Sequence, residues 1–180
     1  LISDLDEIPN LDQLEVSRVK NNIIIFEQKM FYYKLNLYYK DYTWLGTKAV
    51  KKKKLISPQC LRNIKGKDYS KWRLDTFFSK KKYSNLYFVK NGGWHFTCLR
   101  TAEDLEKKLL NFAHHYEYEE SGLNINNLKQ LIAEKRVMYD HKADQKEFKW
   151  SGKSILKNID TNFLPEYVYS NLDKYSDWLD

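Results

Sequence analysis

The sequence predicts a mixed α/β fold, and two observations lead to that prediction. Residues 22–39, 86–89 and 94–99 are rich in Ile, Phe, Tyr and Val, which favour β-strands. After Thr101, apolar residues recur at intervals of three and four, which is typical of amphipathic helices. The 180 residues are enough for one compact domain with a hydrophobic core. We therefore expect a single domain that combines strands and helices.

An acidic pair near the start of the chain is the first candidate site. If residues 1–6 end a strand, the two-residue period places Asp4 and Asp6 on one face and turns Leu5 into the core. Two carboxylates at the carboxyl end of a strand suit Mg²⁺ or Mn²⁺ held against a diphosphate, because these ions prefer oxygen ligands. The spacing alone also fits a solvated acidic turn before Pro9, so both interpretations stay open at this point.

The next part of the chain predicts a short helix, two strands and a long irregular region. Asn10 and Gln13 form a capping-box pattern, which predicts a helix over residues 11–19. Residues 22–39 are expected to form strands. Residues 43–84 contain Gly, Pro and two lysine runs, so we expect loops with short elements there.

A glycine turn between two further strands is the second candidate site. Gly92 and Gly93 permit positive φ and let the backbone approach a ligand closely. The ring of Trp94 can stack on a sugar face, and a neutral His95 imidazole can ligate a metal. The alternative is a hairpin turn whose Trp packs in the core and whose His is only hydrogen-bonded.

Helices are predicted in the second half of the chain. Thr101 and Asp104 form a capping-box pattern, which predicts a helix that begins after Thr101. Its apolar stripe consists of Leu105, Leu109, Phe112 and Tyr116. Further helices are predicted around residues 124–135 and 165–172, and Pro165 suits the first turn of the latter.

The charge of the chain points to a partner that carries phosphate. The net charge is +7, and 16% of the residues are aromatic. Such a basic balance suits nucleic acid, an anionic membrane or a nucleotide. The runs Lys51 to Lys54 and Lys80 to Lys82 are either solvated faces or contacts to phosphates or an anionic membrane surface. No motif of an RNA- or DNA-binding domain is present, so we expect no nucleic-acid partner.

The cysteines and the start of the chain limit the classes of protein to which the sequence can belong. Cys60 and Cys98 lack a C-x-x-C partner, which favours reduced thiols over a zinc site, with a single disulfide as the alternative. The chain shows neither a secretory signal pattern nor the run of roughly 18 apolar residues that a membrane span needs. We therefore expect a cytoplasmic or peripheral membrane protein. Because Leu1 and Ile2 lead directly into acidic residues, we interpret the sequence as a fragment without its N-terminal half.

Four segments resemble the ordered landmarks of glycosyltransferase family 17. They are Ser3 to Asn10 (SDLDEIPN), Gly92 to Phe96 (GGWHF), Phe112 to His114 (FAH) and Leu164 to Tyr167 (LPEY). The family includes β-1,4-mannosyl-glycoprotein β-1,4-N-acetylglucosaminyltransferase-like enzymes. The resemblance implies a GT-A type fold, in which a nucleotide-binding half precedes the Asp-x-Asp motif. Residues 1–180 would then be a single-domain fragment with the acceptor-side half, truncated before that motif and inactive alone.

The resemblance also implies a donor, a metal and the residues that hold them. The donor would be UDP-GlcNAc, the cofactor Mn²⁺ (or Mg²⁺), and the acceptor a glycan or polysaccharide. Asp4 and Asp6 match the motif that positions metal and sugar nucleotide, with Asp6 as the direct ligand. His95 is a candidate for a further metal or diphosphate contact. Trp94, with Gly92 and Gly93, is a candidate for lining the donor sugar.

The implied reaction is a single displacement that inverts the anomeric carbon. A β-linkage formed from an α-linked UDP-sugar needs a general base on the acceptor hydroxyl. Glu103 is the candidate base and Glu7 the second candidate. Glu103 at a helix start can equally be a favourable charge at the positive end of the helix dipole.

Two alternatives remain for the function of the whole chain. One is a non-catalytic basic, aromatic-rich module that binds nucleic acid or anionic glycan, and the other is a degenerate transferase scaffold.

Overall fold

A computed structural model describes residues 1–70, 72–111, 115–144 and 147–180. Within these ranges the strands are β1 (Glu7–Pro9), β2 (Ile23–Tyr32), β3 (Leu37–Val50), β4 (Tyr87–Val89), β5 (Gly93–Thr97) and β6 (Lys157–Asn158). They form one sheet of order β1-β5-β2-β3-β6, and β4 pairs with β2 outside this path. β1 is antiparallel to β5, β4 is parallel to β2, and β6 is antiparallel to β3.

Short helices complete the mixed α/β fold that the sequence predicts. The α-helices are α1 (Pro58–Arg62), α2 (Leu74–Phe77), α3 (Ala102–Leu110), α4 (His115–Ser121), α5 (Ile125–Ala133) and α6 (Glu166–Tyr169). The 3₁₀ turns are Leu11–Gln13, Val16–Arg18, Lys52–Lys54, Thr161–Phe163 and Leu172–Trp178. No helix of the described residues is long and apolar enough to cross a bilayer.

The chain divides into two compact units, and the boundaries fall within β2, β3 and β5. The first unit comprises Leu1–Lys29 and Thr43–His95. In its core, side chains of β2 pack against α1 and the turn that follows it. The buried members of this cluster are Ile23, Ile25, Leu61, Ile64 and Leu86. α1 begins at Ser57, whose hydroxyl accepts a hydrogen bond from the Cys60 N–H.

The second unit comprises Met30–Tyr42 and Phe96–Asp180. Its core includes buried tyrosines whose hydroxyls have polar partners. The Tyr33 hydroxyl donates to the Arg136 carbonyl and accepts from the Met138 N–H, both at 3.0 Å. The Tyr39 hydroxyl donates to the buried Asp140 carboxylate. Because an unpaired buried hydroxyl costs about 1–3 kcal/mol, these bonds allow tyrosine to serve as a core residue.

Several predicted elements are confirmed. β2, the start of β3, β4 and β5 coincide with the stretches rich in Ile, Phe, Tyr and Val. The Thr101 hydroxyl accepts from the Asp104 N–H at 3.2 Å and caps α3. Asn124 caps α5 in a full capping box with Asn127. Pro165 lies at the start of α6, as predicted, although α6 itself is only one turn long.

The predicted strand over residues 1–6 is wrong. Ile2 makes an isolated bridge to Lys48, and the strand proper begins at Glu7. Leu5, which was expected in the core, is fully exposed. The chain turns between Asp4 and Glu7, because the Glu7 N–H donates to the Asp4 carbonyl and the Glu7 carboxylate accepts from the Asp4 N–H. A carboxylate that bonds nearby backbone competes with strand pairing in this way.

Two predicted helices also differ from the structure. Residues 11–19 form two separate 3₁₀ turns, and the Asn10 side chain caps neither of them. The Asn10 N–H donates to the Gly92 carbonyl and so continues the pairing of β1 with β5. The stripe after Thr101 does not lie on one helix: α3 ends at Leu110, and Tyr116, in α4, is mostly exposed. Phe112 lies outside the described residues. The region 43–84 was predicted to be irregular, but its first eight residues belong to β3.

The glycine turn does not form a hairpin between β4 and β5. β4 pairs with β2, whereas β5 pairs with β1. Gly93 has φ +132°, and a Cβ there would lie 2.1 Å from the Ile8 carbonyl oxygen. A Cβ at Gly92 would lie 2.6 Å from the Val89 carbonyl oxygen. Glycine is therefore required at both positions by the close approach of other backbone.

Candidate functional site

The pairing of β1 with β5 joins the two sequence motifs that were predicted to carry chemistry. In the antiparallel register, Glu7 lies opposite His95 and Ile8 lies opposite Trp94. The acidic segment that precedes β1 is thereby placed beside the Gly-Trp-His segment. Two motifs far apart in the chain thus meet in the first unit.

Asp6 and His95 form the centre of this site. The Asp6 Oδ2 lies 3.3 Å from the His95 Nε2, and the imidazole itself is buried. The ring of Trp44 packs beside the imidazole, with ring centroids 4.3 Å apart. The His95 Nδ1 is buried and has no hydrogen-bond partner among the described residues. Because buried polar atoms are nearly always paired, this unpaired nitrogen distinguishes His95 from an ordinary core histidine.

Asp4 has a different partner. Its Oδ1 lies 2.8 Å from the Arg62 guanidinium, and both side chains are about half exposed. In the structure, Asp4 therefore pairs with the Arg62 guanidinium and Asp6 with the His95 imidazole, and the two carboxylates do not converge on one point. Among the described residues, no group of three or more His, Cys, Asp or Glu side chains is arranged to hold a metal ion.

Glu7 is buried and its carboxylate is held by several donors. Its Oε1 accepts from the Trp44 indole N–H at 2.7 Å. Its Oε2 accepts from the Thr47 hydroxyl at 3.0 Å and from the Asp4 N–H at 3.2 Å. The Ser3 hydroxyl lies 3.4 Å from the same oxygen. Both oxygens of Glu7 are thus occupied, which suits a residue that fixes the acidic turn and the Trp44 ring.

Gly46 makes room for this network. A Cβ at Gly46 would lie 2.3 Å from the Glu7 Oε1, 2.3 Å from the Gln28 Oε1 and 2.5 Å from the Trp44 ring. Sequence reasoning missed Trp44, Gly46 and Thr47, since the region was predicted to be irregular. A signal was present: a glycine inside a β-favouring stretch often marks a close approach of other atoms.

A cavity of about 140 Å³ lies beside the acidic turn. It is lined by Ile2, Ser3, Asp4, Glu7, Trp44, Leu45, Gly46, Lys48 and Arg62. The Lys48 ammonium donates to the carbonyls of Arg62 and Ile64 at 2.7 Å each. Burial lowers the pKa of Lys48, and the nearby Glu7 carboxylate opposes that shift. The cavity is polar and has room for several water molecules.

Strand geometry separates Trp94 from the Asp6–His95 pair. Adjacent residues of a strand point to opposite faces, so Trp94 and His95 project from opposite sides of β5. Trp94 is half-buried. Its predicted role against the donor sugar stays a prediction. Gly92 and Gly93 act on the backbone: Gly92 lets the Val89 carbonyl approach closely, and Gly93 lets β1 do so.

Glu103 lies in the second unit, in the first turn of α3. Its carboxylate is 2.7 Å from the Lys129 ammonium, and its side chain is 62% exposed. The hydrogen bond from Lys129 lowers the pKa of Glu103. A lowered pKa makes a carboxylate a weaker base, so the surroundings of Glu103 suit a surface charge at a helix start at least as well as a catalytic base.

The remaining predicted features fall into three groups. Phe112 and His114, which carry one landmark of the family resemblance, lie outside the described residues. The run Lys51 to Lys54 is exposed, and so are Lys80 and Lys81. Cys60 and Cys98 are both thiols, as predicted.

Comparison with known proteins does not add a family to these observations. No family model matches the chain, and no curated protein and no solved structure is significantly similar to it.

Proposed function

We propose that this chain is the acceptor-side part of an inverting glycosyltransferase with a GT-A type fold. It would transfer N-acetylglucosamine from UDP-GlcNAc to a glycan or polysaccharide acceptor. One observation carries the proposal: the β1–β5 register brings Asp6 to within 3.3 Å of the buried His95 imidazole. The acidic motif and the Gly-Trp-His motif of the family resemblance thereby form one site.

The residues of this site fit a divalent cation that shares its ligands with a substrate. Asp6 supplies a half-exposed carboxylate, and the His95 Nε2, 3.3 Å from its Oδ2, is the imidazole nitrogen that could share a cation with it. Mn²⁺ or Mg²⁺ commonly takes one or two protein ligands and completes its shell with phosphate oxygens and water. When bound, such an ion would offset the charge that develops on the UDP leaving group.

Arg62 is suited to the diphosphate itself. A guanidinium presents paired N–H donors that match phosphate oxygens. Asp4 holds this guanidinium at 2.8 Å beside the small polar cavity. We therefore assign Asp4 the orientation of Arg62, and Glu7 the fixing of the acidic turn through the Asp4 N–H. The base that receives the acceptor proton stays a prediction, with Glu103 as the candidate and Glu7 as the second candidate.

The metal assignment is tested by ligand-induced stabilisation of the 180-residue chain. A ligand that binds only the folded state raises the unfolding temperature by mass action. We expect UDP with Mn²⁺, which this chain would hold only through the metal and the diphosphate, to raise it. EDTA should abolish the rise, and so should Asp6→Ala. Asp12→Ala, which removes an exposed carboxylate nearby, is the matched control and should respond like the native chain. An unchanged rise in Asp6→Ala refutes the metal role of Asp6.

Catalysis is tested separately from binding. In this proposal a longer protein that contains this chain transfers sugar from UDP-GlcNAc, and the 180-residue chain alone does not. Transfer by the isolated chain would refute the fragment hypothesis. A non-catalytic binding module would instead show affinity for polyanions that falls steeply with salt and is indifferent to Mn²⁺. A degenerate scaffold would show neither transfer nor stabilisation by UDP with Mn²⁺.

A further inference from the structure

The positive charge of the chain is concentrated in one segment. Residues 51–82, called here the basic segment, contain twelve Lys and Arg against two Asp and no Glu. Since the whole chain carries +7, the basic segment carries a net +10 and the rest of the chain a net −3. The charge that first pointed to a phosphate-bearing partner is therefore a local property of this segment.

This charge is not neutralised within the segment. Asp75 is occupied by Arg73 at 2.9 Å and by Lys82 at 2.6 Å, and these two cations hold its pKa well below the usual range. Asp68 accepts from the Leu86 N–H at 3.2 Å. Eight lysines of the segment are exposed and form no ion pair within the described part of the chain. They are Lys51, Lys52, Lys53, Lys54, Lys65, Lys67, Lys80 and Lys81.

Large apolar side chains project into solvent from the same segment. Trp72 is 93% exposed, Phe78 91%, Leu74 77% and Ile56 74%. Trp72, Leu74 and Phe78 fall within seven consecutive residues. A contiguous exposed apolar patch marks an interaction surface more often than scattered single residues do. Apolar side chains and unneutralised lysines thus occur together in the basic segment.

The basic segment is anchored to the first unit and is not a detached tail. Two of its own residues, Leu61 and Ile64, are buried in the core of the first unit. A backbone hydrogen bond of 2.8 Å from the Lys65 N–H to the Lys81 carbonyl joins the middle of the segment to its C-terminal end. The ring of Tyr69 lies beneath two cations, Arg73 at 5.4 Å and Lys82 at 5.9 Å. These contacts hold the segment in place while its apolar and cationic side chains face outward.

We propose that the basic segment docks the protein onto an anionic lipid bilayer. The exposed lysines would contact headgroup phosphates, and each contributes about 1 kcal/mol, roughly a fivefold gain in affinity, near such a surface. The side chains of Trp72, Leu74, Phe78 and Ile56 would enter the boundary between headgroups and acyl chains. Tryptophan is favoured there because its ring is apolar while its N–H stays hydrated.

The apolar side chains distinguish a bilayer from other polyanions. Nucleic acid is bound by cations together with aromatic rings that stack on bases. Leu74 and Ile56 cannot stack, and their burial is favourable only in an apolar medium. A soluble polyphosphate would engage the lysines and leave all four apolar side chains in water. The combination therefore favours a lipid surface.

The test is sedimentation of the 180-residue chain with vesicles of phosphatidylcholine alone or of phosphatidylcholine mixed with phosphatidylserine. We expect binding only to the mixed vesicles and a blue shift of tryptophan fluorescence that Trp72→Phe reduces. Lys52→Gln with Lys53→Gln should weaken binding roughly 25-fold, about fivefold for each charge removed. The matched control, Lys153→Gln with Lys157→Gln, removes two exposed lysines elsewhere and should change it far less.

The apolar contacts are tested by Trp72→Ala with Phe78→Ala, which should weaken binding roughly tenfold or more. Phe148→Ala removes an aromatic side chain that is 60% exposed outside the segment and is the control. Unchanged vesicle binding by Trp72→Ala with Phe78→Ala would mean that only the lysine charges contribute to binding, and this result overturns the proposal. Tighter binding to single-stranded DNA than to mixed vesicles overturns it as well. Self-association of the native chain that Trp72→Ala with Phe78→Ala abolishes would also overturn the proposal. None of these measurements requires UDP-GlcNAc or Mn²⁺, so their failure leaves the proposed transferase function intact.

Discussion

Replacing Gly46 with alanine tests whether the Glu7 network is as tightly packed as its distances indicate. The added Cβ would lie 2.3 Å from the Glu7 Oε1, 2.3 Å from the Gln28 Oε1 and 2.5 Å from the Trp44 ring. Ordinary contacts between such atoms are near 3.5 Å, so at least one side chain must move by about an ångström. The φ of Gly46 is not positive, so alanine is compatible with the backbone itself.

The loss of stability in Gly46→Ala depends on which side chain moves to make room for the added Cβ. Overpacking a filled interior costs about 1–3 kcal/mol. If Glu7 yields, it loses the 2.7 Å bond from the Trp44 indole, and a hydrogen bond to a charged group contributes about 1.5–3 kcal/mol. The two costs overlap, because the movement that breaks the bond also relieves the clash. We therefore expect Gly46→Ala to lower the free energy of unfolding by roughly 3 kcal/mol.

Urea-induced unfolding, followed by tryptophan fluorescence, measures this change. The midpoint should fall while the slope with denaturant stays constant, since a changed slope reports a different folded or unfolded state. Gly122→Ala is the matched control. Gly122 has φ +70° and no atom within 4 Å of an added Cβ, so it pays only the backbone cost of about 1 kcal/mol. If Gly46→Ala costs no more than Gly122→Ala, the packing argument around Glu7 is refuted.

Two further predictions concern the second unit. Burial alone would raise the pKa of Asp140, but hydrogen bonds from Tyr39, Ser154 and backbone N–H groups lower it overall. A lowered folded-state pKa stabilises the protein above the unfolded value, near 3.9, and this contribution is lost as the pH falls through the folded value. The difference in unfolding free energy between the native chain and Asp140→Asn should therefore be largest at neutral pH and should shrink below about pH 4. A difference that stays constant with pH would contradict this role of Asp140. Asn124→Ala should cost about 1 kcal/mol through loss of the α5 cap, whereas Asn126→Ala should cost only a few tenths, and equal costs would contradict the capping argument.

Sequence reasoning located the local elements of this fold well. Runs of β-branched and aromatic residues identify β2, β4 and β5, because strand formation depends on side chains that fit a pleated, half-buried surface. Thr101 and Asn124 mark the starts of α3 and α5, since a cap is a contact between residues two or three positions apart. Local patterns of this kind can be seen without knowledge of the rest of the chain.

The arrangement of the candidate site could be predicted only in part. The two motifs were identified, but the register that joins Asp6 to His95 depends on a pairing between distant strands. The same holds for Leu5, which a strand period would bury and which the turn before Glu7 exposes. Trp44 was missed because its role comes from the Glu7 carboxylate, a partner that no local pattern reveals.

Each of the two units is assembled from two separated stretches of chain, and this has a consequence for synthesis on the ribosome. Residues Met30–Tyr42 emerge before Phe96–Asp180, the stretch with which they form the second unit. Phe31, Tyr32 and Tyr39, almost fully buried in the finished protein, must wait for those partners. At roughly 5–20 residues per second, synthesis of the stretch from Phe96 to Asp180 takes about 4–17 s. During that time an aromatic strand segment is open to chaperones and to aggregation, so yield on expression should depend on chaperone supply and on temperature.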